Sequence, residues 1–117
     1  MGRLTTHVLD TCTGQPGRGI RVVLRRLTGD GPAIVAEAVT NDDGRCDGPL
    51  LAGADFAVGA YELAFDVGDY FRAQGVALAD PPFLDVVTIR FGIAEPDSHY
   101  HVPLLVSPYG YSTYRGS

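Results

Sequence analysis

Apolar and polar residues alternate along this chain in short runs, and nearly every run stops at a turn rich in glycine, proline or asparagine. Period-two alternation marks a half-buried strand, because successive side chains leave opposite faces of the backbone. The runs are Leu4 to Asp10, Ile20 to Leu27, Ala33 to Thr40, Ala60 to Val67, Val86 to Ile93, His99 to Ser107 and Tyr111 to Tyr114. Ile20, Val22 and Leu24 share one face of the second run, and Val87, Ile89, Phe91 and Ile93 one face of the fifth. Gly29-Asp30-Gly31-Pro32 and Asn41-Asp42-Asp43-Gly44 read as turns, since glycine and asparagine accept positive φ. Only Asp69 to Gln74 reads as helix, with Asp69 as its cap and Gly75 as its left-handed stop. Seven or eight short strands and one small helix predict an all-β antiparallel sandwich. Pro103, inside a strand pattern, predicts an edge or a bulge, because proline cannot donate to a ladder.

At 117 residues the chain is expected to form one domain, spanning 1–117. A net charge of −5 without a basic block argues against nucleic acid or an anionic membrane as partner. No apolar run approaches the roughly 20 residues that cross a bilayer. Met1-Gly2-Arg3-Leu4 leads directly into a strand and lacks the apolar core of a signal peptide. The expected compartment is therefore the cytoplasm, or the peroxisome in a eukaryote. Two cysteines, Cys12 and Cys46, are too few for a disulfide framework and have no metal-finger spacing. Strict alternation would turn Arg45 and Cys46 to opposite faces, leaving Cys46 a small buried hydrophobe.

The three histidines, His7, His99 and His101, are the first candidates for acid–base chemistry, because imidazole titrates near neutrality. His99 and His101 are two apart and project from one strand face. Residue type and spacing leave three readings open: structural histidines, a three-histidine zinc site, and a histidine pair working beside an arginine. Nucleophilic catalysis finds no Gly-x-Ser-x-Gly elbow, and there is no phosphate loop. The tail from Ser107 to Ser117 carries Tyr109, Tyr111 and Tyr114, more aromatics than a disordered polar tail holds. Tyrosine joins apolar area to a polar tip, so this segment suits either an edge strand or a site or interface lining.

Three motifs narrow these readings. Leu4-Thr5-Thr6-His7-Val8-Leu9-Asp10-Thr11, the turn Thr40-Asn41-Asp42-Asp43-Gly44-Arg45, and His99-Tyr100-His101-Val102-Pro103-Leu104-Leu105 running on to Tyr114-Arg115-Gly116-Ser117 resemble the signatures of the transthyretin-related 5-hydroxyisourate hydrolases. The resemblance covers essentially the whole chain, and the Tyr-Arg-Gly-Ser ending is its most specific part. It implies a transthyretin-like sandwich that assembles as a homotetramer, a dimer of dimers with active sites in the channel between dimers. It implies hydrolysis of 5-hydroxyisourate to 2-oxo-4-hydroxy-4-carboxy-5-ureidoimidazoline in urate breakdown, with no metal and no organic cofactor. It assigns His7, Arg45 and His101 as the catalytic set and Tyr114 and Ser117 as substrate contacts alongside His7 and Arg45. His99 and Arg115 take supporting roles. Two other classes remain as rivals, a transthyretin-like carrier of a small aromatic ligand and a small β-sandwich adhesion module.

Overall fold

The computed structural model describes residues 2–116. In chain order the strands are β1 (Arg3–Asp10), β2 (Gln15–Pro16), β3 (Arg21–Thr28), β4 (Gly31–Val39) and β5 (Leu51–Ala52), then β6 (Gly59–Asp66). The helix α1 (Val67–Ala73) follows, and β7 (Val86–Ile93), β8 (His99–Ser107) and β9 (Gly110–Thr113) complete the chain. They form two sheets, β2-β1-β8-β9 with β5 also on β1, and β4-β3-β6-β7. The expected sandwich is what forms, with one departure from antiparallel pairing: β1 and β8 run parallel in register, from Arg3↔His99 to Asp10↔Val106.

Alternation decides which side chains meet between the sheets. Leu4 and Val8 of β1 and Tyr100, Val102, Leu104 and Val106 of β8 face Val22 and Leu24 of β3, Leu63 and Phe65 of β6, and Val87, Ile89 and Ile93 of β7. Each such side chain contributes roughly 1.5–3 kcal/mol on leaving water, which offsets the chain entropy lost in ordering the strands. Val67, Tyr70 and Phe71 of α1 close one end of this core. Asp10 is buried at the same end, where its carboxylate accepts hydrogen bonds from the Tyr70 hydroxyl (2.9 Å) and the Cys12 amide (2.9 Å).

Two local expectations need correction. The helix begins two residues early, at Val67, and its N-cap position is Asp66, which makes no side-chain cap bond. The buried Val67 and Phe71 set its start, and Asp69 pairs with Arg72 at 3.2 Å within the helix. Gly75, at φ +81°, does end it in the left-handed region. Pro103 lies in an interior strand, paired to β1 on one side. Its missing N–H is accommodated because the ladder to β9 stops at Leu104↔Thr113 and resumes as a single bridge at His101↔Gly116. In that gap the Thr113 hydroxyl donates to the Pro103 carbonyl at 2.7 Å.

Candidate active site

The parallel register of β1 and β8 builds one polar patch on the outer face of their sheet. Leu4, Thr6 and Val8 turn inward and are buried, so Arg3, Thr5 and His7 turn outward. Tyr100 and Val102 turn inward, so His99 and His101 turn outward beside them. Thr5 stands opposite His101, and Arg3 opposite His99.

Arg45 enters along the free edge of β1. β2 covers the Leu9–Asp10 end of that edge and β5 the Arg3–Leu4 end. The stretch between them is filled by the turn that ends in Arg45: the Val8 amide donates to the Gly44 carbonyl (2.8 Å), and His7 and Arg45 form an isolated antiparallel bridge. The Asn41 side-chain oxygen accepts the amides of Asp43 (2.9 Å) and Arg45 (3.1 Å), which holds the turn. Gly44 has φ +74°, and a Cβ there would lie 2.5 Å from the Val8 carbonyl oxygen, so only glycine lets this turn reach β1.

A cleft of about 440 Å³ results, lined among others by Arg3, Thr5, Arg45, Cys46, His99 and His101. His7 is half-buried beside it, bridged to Arg45. Among the described residues no ion pair engages Arg45, and its side chain is exposed. The Thr5 Oγ1 lies 2.8 Å from His99 Nε2 and 2.8 Å from His101 Nδ1. Thr5 was not singled out from sequence. Its signal was available: it stands two residues before His7, hence on the same face.

All three imidazoles are held below the usual histidine range. For His7 the cause is burial first and the Arg45 charge second, partly opposed by the backbone carbonyl and carboxylate of Asp43. For His101 it is burial, then Arg45, His7 and His99. For His99 it is burial and then Arg3. These rings are therefore neutral at pH 7, the form that accepts a proton. Cys46 corrects the alternation argument: Arg45 is an isolated bridge residue outside any strand, and both side chains border the cleft. Burial, and then Asp47, pushes the Cys46 thiol up, away from the reactive thiolate.

The tail closes over His101. The Gly116 amide donates to the His101 carbonyl at 2.7 Å, and a Cβ on Gly116 would lie 3.0 Å from the ring's Cδ2. Arg115 stacks its guanidinium 4.1 Å above the Tyr100 ring. Tyr114 does not join the histidine cleft: it lines a second pocket of about 250 Å³ with Tyr100 and Arg115, and 60% of it is exposed. Ser117 lies outside the described residues. Among the described residues no three metal-ligating side chains converge, and the Thr5 hydroxyl engages two of the ring nitrogens that a three-histidine zinc site draws on.

Comparison with known proteins gives one direction. The family model "HIUase/Transthyretin family" matches residues 4–116. A Rhizobium meliloti protein named 5-hydroxyisourate hydrolase 2 is 64% identical over 116 residues, covering 99% of this chain and 97% of its own. The crystal structure of (S)-allantoin synthase superposes with a TM-score of 0.94 at 53% identity; it covers 99% of this chain, which spans only 44% of that longer one. Sea bream transthyretin, solved in complex with thyroxine, superposes at 0.85 but is 30% identical, over 97% of this chain and 94% of its own.

Proposed function

The chain belongs to the HIUase/Transthyretin family, and from that premise we propose that residues 1–117 form a single hydrolase domain acting on 5-hydroxyisourate. The observation that carries the reading is two neutral imidazoles at one cleft, His101 lining it and His7 bridged to Arg45 beside it, with the Arg45 guanidinium in no ion pair among the described residues. The 64% identity to a 5-hydroxyisourate hydrolase over nearly the whole chain supports it, against 30% to the transthyretin that binds thyroxine. A carrier of an aromatic ligand also has no use for depressed imidazoles next to a cation.

In this reading Arg45 grips the carbonyl oxygens of the oxidised purine with its planar fork and steadies the oxyanion that forms on attack. His101 has its Nδ1 turned to Thr5, which leaves Nε2 facing the substrate. That nitrogen takes a proton from water as the water oxygen adds to the C6 carbonyl carbon. The tetrahedral intermediate collapses, the N1–C6 bond breaks, and the same proton passes to the leaving nitrogen. His7, bridged to Arg45, holds the water. The ring-opened product is 2-oxo-4-hydroxy-4-carboxy-5-ureidoimidazoline. No group on this path is a metal or an organic cofactor.

The working unit in this reading is a homotetramer, a dimer of dimers. β9 is an edge strand with all four residues exposed, and Tyr109, Tyr111 and Tyr114 add apolar area along it. A bare edge of this kind pairs readily with another chain. Tyr114, turned from its own histidine cleft, is available to an adjoining subunit, and Ser117 belongs with it as a substrate contact. Both cysteines are free, as a reducing cytoplasm keeps them.

The test is the decay of ultraviolet absorbance of freshly generated 5-hydroxyisourate. Wild type should accelerate it strongly, with or without a chelator. His7→Ala and His101→Ala should each lose roughly 10²- to 10⁴-fold, and Arg45→Ala about 10²- to 10³-fold. A wild-type rate equal to the spontaneous one removes the enzyme reading, and a rate abolished by chelator returns the histidines to a metal.

A further inference from the structure

An imidazole base is usually steered by a carboxylate on its second nitrogen. Among the described residues no carboxylate lines this cleft. The second nitrogen of His101 meets a hydroxyl instead, and the same hydroxyl meets His99, with both contacts at 2.8 Å. A hydroxyl carries one proton, so it donates to one ring and accepts from the other. This ties the two rings together. If Thr5 donates to His99 Nε2, then His101 carries its proton on Nδ1, and both rings are Nδ1–H. If Thr5 donates to His101 Nδ1, both rings are Nε2–H. A mixed pair would aim two ring hydrogens, or none, at the one hydroxyl.

The geometry points to Thr5 as a positioning residue that couples His99 to His101 in a proton relay, so that the positive charge His101 gains with the water proton is held on His99 until the leaving nitrogen needs the proton. The proposal rests on the hydrolytic reading above. The transfer balances. His101 Nε2 gains the water proton, His101 Nδ1 gives its own to Thr5 Oγ1, and Thr5 gives its original proton to His99 Nε2. His101 is left neutral and His99 becomes the imidazolium; the reverse flow recharges His101 as the C–N bond breaks.

Charge placement favours this route. His101 is faced by Arg45, His7 and His99, each of which raises the cost of an imidazolium there. His99 is faced by Arg3 and is the less buried ring. Moving the positive charge across the 6.3 Å between ring centroids takes it away from Arg45, which has to stay free for the developing oxyanion. Among the described residues the cleft around the relay is also bordered by Thr6, by Cys46, Gly48 and Pro49 on the segment after Arg45, and by the Gly116 backbone.

Thr5→Val keeps the shape and removes the hydroxyl, and Thr5→Ser keeps the hydroxyl. The expected result is a fall in kcat of about 10- to 100-fold for Thr5→Val with KM unchanged, and recovery to near wild type in Thr5→Ser. Joined to His99→Gln, Thr5→Val should add no further loss, because both break one relay. Nitrogen-15 spectra of the resting wild-type protein should show His99 and His101 both as Nδ1–H tautomers, whatever the substrate proves to be. A wild-type kcat in Thr5→Val, a Thr5→Ser as slow as Thr5→Val, additive losses in the double variant, or opposite tautomers on the two rings would each overturn the relay. Failure of the wild-type protein to hydrolyse 5-hydroxyisourate would instead strike the functional reading, and the tautomers would still report on the coupling.

Discussion

Gly116→Ala separates the tail's part in the site from its part in the fold. The added Cβ would lie 3.0, 3.1 and 3.4 Å from Cδ2, Cβ and Cγ of His101, all atoms of the same side chain. No backbone atom is among these contacts, so relief comes from turning the imidazole or lifting the tail by about 0.4 Å. Because Nε2 is bonded to Cδ2, the reacting nitrogen moves nearly as far as the clashing carbon. A displacement of about 1 Å at a reacting group costs on the order of 10²-fold, so about 0.4 Å predicts a loss of roughly 5- to 10-fold in kcat, near 1–1.4 kcal/mol of barrier. The fold should barely notice, since Gly116 is only half-buried and joins His101 through backbone groups alone. A change within about 0.5 kcal/mol, or about 2 °C in Tm, is expected. The assay pairs absorbance decay of 5-hydroxyisourate with thermal unfolding of the same preparation. Full turnover in Gly116→Ala, or a fall in Tm that accounts for the lost activity, would refute the idea that the tail sets the position of His101.

Acid should act on activity and stability together. The three histidines titrate below their ordinary value of 6.5 in the folded protein. The unfolded chain thus binds more protons as pH drops below that value. Their contribution to stability is complete above the ordinary imidazole range and is lost as pH falls toward the depressed native values; pH-dependent denaturant melts should show this, and kcat should hold to a pH below 6.5 before falling. Tyr70→Phe should cost about 1–3 kcal/mol in denaturant unfolding, because it strips one of two hydrogen bonds from the buried Asp10 carboxylate; the tyrosine itself, pushed up to about 12 by burial and by Asp10, should still be un-ionised when an alkaline titration passes the ordinary tyrosine value of 10.0. Gly44→Ala should lose about 2–3 kcal/mol, from left-handed strain and the displaced Val8–Gly44 hydrogen bond, and the protein that still folds should turn over slowly because Arg45 shifts with the turn.

The long strands were legible because burial on one face imposes alternation: Val86–Ile93 and His99–Ser107 fall where the pattern places them. β2 and β5, two residues each, are too short to carry a period. The pairing of β1 with β8 has no local signature at all, since it joins segments about 96 residues apart. That pairing builds the patch, so spacing alone left the histidines with three open readings, and only the resemblance of motifs gathered His7, Arg45 and His101. Thr5 escaped notice because a threonine in a strand is ordinary for its propensity. Its importance comes from two rings delivered by the far end of the chain. The gap opposite Pro103 was half legible: the missing donor was foreseen, but not that an interior strand would absorb it by interrupting one ladder.

The parallel seam between β1 and β8 also dictates when the proposed site can first form. Its two halves lie about 96 residues apart, so β8 is made long after β1. A nascent chain still on the ribosome holds His7 and Arg45 without the strand that carries His99 and His101. Until β8 has been made, β1 waits with an unpaired edge, an exposure that invites association with other chains. Contacts of such long sequence separation also slow closure. If the proposed site is the working one, turnover of substrate reads out only molecules in which this seam has closed.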